Sequence, residues 1–226
     1  MTTAVDRTAS DARIPLSRER VLAAAMALAD EGGIGSLSMR LLAQRLGVEA
    51  MSLYHHVRNK QDLLAAMLDA VYAEIEPPPG DDDWRDAMRR TAISFHRILL
   101  RHRWACGLLM MSLEGPSPAR LRYMDSVLGR LRGAGFSPNM THHAYHALDS
   151  HIVGFTLWLL PYLSLAEQEP DLADRYLREL SGEELPHLIE HIGVHLQPAE
   201  PGEVGEFEFG LNLTLDGLDR LRATEN

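Results

Sequence analysis

The chain has 226 residues, 46% hydrophobic and 24% charged, which is the composition of an ordinary globular protein long enough to bury a real core. No stretch of about 18 uninterrupted apolar residues occurs, the polar start from Met1 to Ala12 lacks the apolar centre of a signal peptide, and the single Cys106 excludes an intrachain disulfide and a cysteine-rich metal site. A cytoplasmic protein with no membrane partner is therefore expected. The net charge of −10 argues against a polyanion partner, but residues 13–60 hold seven cations and four acids, a local +3 that leaves −13 on the rest.

In chain order the sequence reads as helix after helix. Residues 1–14 are expected to be a disordered arm, with Arg7 and Arg13 as the alternative minor-groove contacts. Ser17 caps a first helix that stops at Gly32-Gly33, and Ser38 caps a short second one, 39–46, that ends at Gly47. A third is expected over 50–56. Asn59 caps a fourth that continues to Ile75, with Asp62 at the capping-box position. Pro77-Pro78-Pro79-Gly80 then breaks the chain, and Asp81-Asp82-Asp83 restarts it where negative charge suits a helix N-terminus.

Beyond this break the pattern predicts helices over 84–102 and 105–111. Ser117-Pro118 and Ser137-Pro138 open two more, the second apolar and running to about Tyr162. Weaker helices are expected over 171–180 and 183–196. A loop over 197–205 leads to a final helix, 206–222. No strand-like alternation, internal repeat or low-complexity tract is visible, so the expected fold class is all-α.

The informative stretch is 38–60. Two short helices joined at Gly47 have the helix-turn-helix pattern, with Leu41, Leu42 and Leu46 on the inner face of the first and Val48, Leu53 and Val57 on that of the second. The outer face of the second then presents Ala50, Met51, Tyr54, His55 and His56 to a major groove. Arg40 is placed to take a guanine or a phosphate, and Lys60, at the start of the fourth helix, a phosphate.

The strings RLLAQRLGV (40–48) and SLYHHVRNKQDLL (52–64) resemble the DNA-binding domain of the tetracycline-repressor (TetR) family. The resemblance implies that Arg40, Ala50, Met51, Tyr54, His56 and Lys60 face DNA. Ala50 and Met51 replace residues that read bases in the tetracycline repressors, so the operator does not carry over. More loosely, FEFGLNLTLDGL (207–218) resembles the closing helix of the family's regulatory domain, which with the helix around 149–160 builds a dimer interface. Asp149, Val153, Leu157, Phe209, Leu211, Leu215 and Leu218 are the residues this implies, and a role in the chain's own core is the alternative. The resemblance places Met111 and Tyr162 where those repressors hold a magnesium-chelated drug with a histidine and an acid, so a magnesium–tetracycline ligand is not expected.

Residues 15–62 are thus expected to read DNA, and 63–226 to bind an effector and dimerise. Phe95, Leu99, Trp104, Met110 and Met111, with Phe155, Trp158 and Tyr162, are candidates to line an apolar effector pocket, although aromatic and methionine residues at helical spacing also make plain core. His187, His191 and His195, like His142 and His146, recur at chelating spacing, but no acid or cysteine completes either set, so no metal and no cofactor is expected. Cys106, among Trp104, Ala105 and Leu108, reads as a small buried hydrophobe. No GxSxG, HExxH or Gly-rich phosphate loop occurs, so an enzyme is not expected. The function expected is a homodimeric, effector-released repressor on a pseudo-palindromic operator. The alternatives are a DNA-binding activator or architectural protein without an effector and, more remotely, a helical enzyme.

Overall fold

A computed structural model describes residues 15–78, 80, 83–111, 117–169, 171–180, 184–195 and 205–225. The expectations for the arm 1–14, for Asp81 and Asp82, for the loop 197–204 and for the side chain of His195 lie outside these. All regular structure among the described residues is helical, and no helix there is long and apolar enough to cross a membrane. The chain divides into two compact units, Met1–Leu63 and Leu64–Asn226.

In the first unit α1 (Arg18–Gly32) starts where Ser17 Oγ accepts from the Arg20 N–H at 3.3 Å. After a short 3-10 turn (Ile34–Ser36), α2 (Met39–Leu46) starts on Ser38, whose Oγ accepts from the Leu41 N–H at 3.2 Å. Gly47 ends it in the left-handed region at φ 66°, ψ 34°, a conformation that costs glycine nothing and other residues a Cβ clash. The core of the unit is Val21, Ala25, Leu28, Leu37, Leu42, Leu53, Val57 and Leu63. Leu41, Leu46 and Val48, expected on the inner faces, are half-buried at its margin.

α3 spans only Ala50–Leu53, shorter than expected. Tyr54, His55 and His56 donate to carbonyls three residues back, Met51, Ser52 and Leu53, so the chain tightens out of α geometry into turns. α4 (Lys60–Ala73) begins in this unit and continues in the second.

The second unit is built on α5 (Trp84–Arg101), which packs against α8 (Pro138–Gln168). α7 (Pro118–Gly133) and α11 (Glu206–Glu225) flank α8, and α6 (Arg103–Leu109) packs at the end of α5. α9 (Leu172–Glu179) and α10 (Pro186–His195) pack on each other. Phe95, Leu99, Leu131, Phe136, Ile152, Leu211 and Leu215 are fully buried, and Trp84 meets Phe136 edge-on at 4.9 Å. Cys106 is buried, and burial raises its thiol to about 11, well away from thiolate chemistry.

α8 runs to Gln168, six residues past the expected end at Tyr162. Pro161 removes only one backbone donor, and the last turn is held on the far side: Glu169 N–H donates to Leu165 O at 2.8 Å, and Arg103 forks onto Glu167 at 2.7 and 3.0 Å.

Candidate nucleic-acid interface

The surface-facing groups of the helix-turn-helix are held from behind by polar contacts. Met51 is 74% exposed and Tyr54 44%; His55 is exposed, and Ala50 and His56 are half-buried. These large side chains stand out of a unit whose core lies beneath them in Leu53 and Val57, so their exposure is not a lack of core to join. Arg40 is exposed at the second position of α2 and makes no ion pair among the described residues. Arg45, five residues further, is already forked onto Glu31 at 2.5 and 2.7 Å, so its charge is locally answered.

The end of α3 is fixed by Arg18, which donates to His56 O at 2.7 Å and also approaches Asp62 at 3.5 Å. Asp62 accepts from the Arg58 N–H and guanidinium, both at 3.1 Å, while its own N–H is capped by Asn59 Oδ1 at 2.8 Å. The Arg58 N–H bond, with the Arg58 and Arg18 charges, holds the Asp62 carboxyl below the usual carboxylate range. Lys60 Nζ donates to Leu37 O at 2.7 Å, tying the start of α4 to the turn before α2. The lysine read as a phosphate ligand thus has a structural bond as well. Arg18 was not found from the sequence, since a partner 38 residues away leaves no periodic signal; Asp62 was visible as a capping-box acid.

The apolar candidates of the second unit separate into two sets. Phe95, Leu99 and Trp104 are buried in its core, whereas Met110, Met111, Trp158 and Tyr162 are each more than half exposed. Phe155, Trp158 and Tyr162 form a ladder along α8, at 5.9 and 4.8 Å between successive rings. Sequence spacing placed the two sets together; the structure puts the first in the core and leaves these four at the surface.

The residues read as a dimer seam separate in the same way. Leu211, Leu215 and Leu218, at i, i+4 and i+7, face inward and are buried in the chain's own core, as is Val153, and Asp149 is half-buried. Leu157 of α8 and Phe209 of α11 remain exposed, as does Leu213 of α11.

A buried polar site joins three helices of this unit and had no signal in the sequence. Thr156 donates to Ile152 O at 2.6 Å, so its oxygen accepts at 2.7 Å from His96 Nδ1, which must carry the proton. The His96 ring stacks on Phe207 at 3.9 Å, and His151, seated against Gly210, donates to Phe207 O at 2.9 Å. Burial, with the His151 and Arg97 charges, pushes His96 down to about 4, leaving it a neutral core histidine.

Both parts of the chain have recognisable relatives. The family described as "Bacterial regulatory proteins, tetR family" matches residues 21–67, and "Tetracyclin repressor-like, C-terminal domain" matches 76–222. The tetracycline repressor protein class C of Escherichia coli is 33% identical over 219 residues, covering 93% of this chain and 94% of that protein. Apo ActR from Streptomyces coelicolor superposes with a TM-score of 0.74 at 26% identity, covering 94% and 99% of the two chains. ActR has also been solved in complex with actinorhodin, in a structure that matches with a TM-score of 0.70 at 26% identity, covering 92% and 99%. The chain belongs to the tetracycline-repressor (TetR) family of bacterial regulatory proteins and is a DNA-binding transcriptional repressor.

Proposed function

We propose that the protein works as a cytoplasmic homodimer that holds a pseudo-palindromic operator and leaves it when a small, largely apolar effector binds. Residues 15–62 read the DNA, and 63–226 take the effector and dimerise. The observation that carries this reading is the exposed set Arg40 on α2 and Met51, Tyr54 and His55 on α3 and the turn after it, with Arg18 and Asp62 bonded around that turn and Lys60 bonded to the turn before α2. A face that mixes an apolar side chain with polar tips suits thymine methyls and base edges. With two copies, the recognition helices enter successive major grooves about 34–36 Å apart.

The dimer is supported by Leu157, Phe209 and Leu213, large apolar side chains left exposed on α8 and α11. The effector is supported by the likeness to ActR, whose ligand is actinorhodin. α4, common to both units, is the element through which effector binding alters DNA reading, and a coupling of about 1–3 kcal/mol lowers operator affinity several-fold to about a hundredfold.

The test is selection of bound sequences from a random duplex pool, followed by affinity against salt for the wild type, Tyr54→Ala and Lys60→Gln. Enrichment of one inverted repeat that Tyr54→Ala no longer holds supports the reading. Binding that stays weak and follows salt alone overturns it. A phosphate contact by Lys60 shows as a salt slope lower by about one in Lys60→Gln.

A further inference from the structure

The first turns of α8 carry three histidines on the outside of the second unit. Ser137 Oγ accepts from the Met140 N–H at 3.2 Å and caps the helix, while Thr141, Ala144, Tyr145 and Leu148 bury its inner face. Burial of that face turns His142, His143 and His146 outward, and all three are exposed. None of them makes a hydrogen bond or an ion pair among the described residues, so their ring nitrogens are open to a ligand. Histidine is a weaker helix former than alanine, lysine or glutamate, and at exposed positions no core packing asks for it.

Two of the three rings meet. The centroids of His142 and His146 lie 4.5 Å apart with the rings edge-on at 73°, whereas the His143 ring is 5.5 Å from that of His142. Positions i and i+4 lie one above the other on a helix, the spacing at which a pair of histidines on one face grips zinc. A tetrahedral cation held at about 2.0–2.1 Å by each of two ring nitrogens sets those nitrogens about 3.4 Å apart. Rings whose centres are 4.5 Å apart reach that separation by side-chain rotation, and the capped, packed backbone of α8 stays where it is. His143, one residue on from His142, stands on a different face and cannot share the same ion.

Among the described residues no group of three or more His, Cys, Asp or Glu side chains could hold a metal ion. The chain therefore supplies two ligands, and the remaining coordination positions belong to water or to a ligand from outside. We infer that His142 and His146 form an open two-imidazole site for a divalent transition cation, copper(II) ahead of nickel(II) and zinc. Imidazole suits these ions, whereas magnesium and calcium take oxygen ligands. Both ligands are neutral when they bind, so the cation keeps its whole charge, and the net −13 carried outside residues 13–60 draws it to the molecule. A bound ion ties two successive turns of α8 together.

The experiment uses the full chain without a polyhistidine tag and titrates it by calorimetry with the chlorides of copper(II), nickel(II), zinc and magnesium. Copper is expected to bind most tightly and magnesium not at all. His142→Ala and His146→Ala should each weaken one equivalent of copper about tenfold or more, while His143→Ala stays within about twofold of wild type. The electron paramagnetic resonance spectrum of that equivalent should show coupling to two imidazole nitrogens in the wild type and in His143→Ala. All three positions are exposed, so circular dichroism should find each variant folded. Absence of copper binding, magnesium bound as tightly as copper, or a copper equivalent that survives either His142→Ala or His146→Ala overturns the inference. So does a loss in His143→Ala as large as in the other two.

Discussion

The two units treat their polar groups in opposite ways. In Met1–Leu63 the groups around the recognition turn are used: Arg18 on His56 O, Lys60 on Leu37 O, and Asp62 between Arg58 and Asn59. In Leu64–Asn226 buried oxygens of Thr91, Thr141 and Asp149 are left without partners, and one histidine is kept neutral. A unit that must present one surface gains from having every bond satisfied, because satisfied networks fix a single geometry. A unit that must receive a ligand gains from keeping donors and acceptors in reserve.

The largest effects test whether the two units are separate in stability. Leu53→Ala and Phe95→Ala each empty a fully buried position and are expected to cost about 2–5 and 3–5 kcal/mol. Urea titration followed by circular dichroism should show Leu53→Ala abolishing operator binding while the main helical transition persists, and Phe95→Ala shifting that main transition. A single transition moved equally by both substitutions breaks the comparison.

The next effect belongs to the second unit alone. His96, at about 4 in the folded chain, regains its ordinary value near 6.5 on unfolding, so the unfolded chain binds the extra proton between these values. Its contribution is intact above pH 6.5 and is lost as the pH falls towards 4, by up to about 3 kcal/mol. Melting temperature against pH should fall through that window in the wild type and stay flatter in His96→Gln. A parallel pH profile in the variant removes His96 as the cause.

Much of the fold was legible because helix ends are local. Ser17, Ser38, Asn59 and Ser137 cap where expected, and Gly47 turns as expected, since each device acts within four residues. The recognition turn was legible for the same reason. What was not legible joins distant positions: His96 with Thr156, Arg18 with His56, and Tyr72 with Tyr123. The apolar candidates divide between core and surface because spacing tells which residues share a face of one helix, and not which helix that face meets. Leu211, Leu215 and Leu218 turned inward on that account while Phe209 and Leu213 did not.

A smaller effect concerns the surface of the first unit. Tyr54→Ala removes an exposed side chain, so operator affinity should fall by about 1–3 kcal/mol, roughly ten- to a hundredfold, with stability within about 0.5 kcal/mol of wild type. Filter binding and a thermal melt on the same sample separate the two. A stability loss matching the affinity loss would place Tyr54 in the support and not on the reading face.

The smallest effect isolates geometry from contact. A Cβ added at Gly47 meets nothing within 4 Å, so no neighbour is crowded by Gly47→Ala. The backbone there has φ 66°, however, and holding alanine in the left-handed region costs about 1–2 kcal/mol. Gly47→Asn should cost less, because asparagine tolerates that region. If both the melt and the operator affinity rank glycine above asparagine above alanine, the angle between α2 and α3 depends on this one backbone conformation. If alanine is tolerated at no cost, the turn relaxes freely, and the aim of α3 is set by Arg18 and Lys60, whose bonds to His56 O and Leu37 O then become the positions to remove.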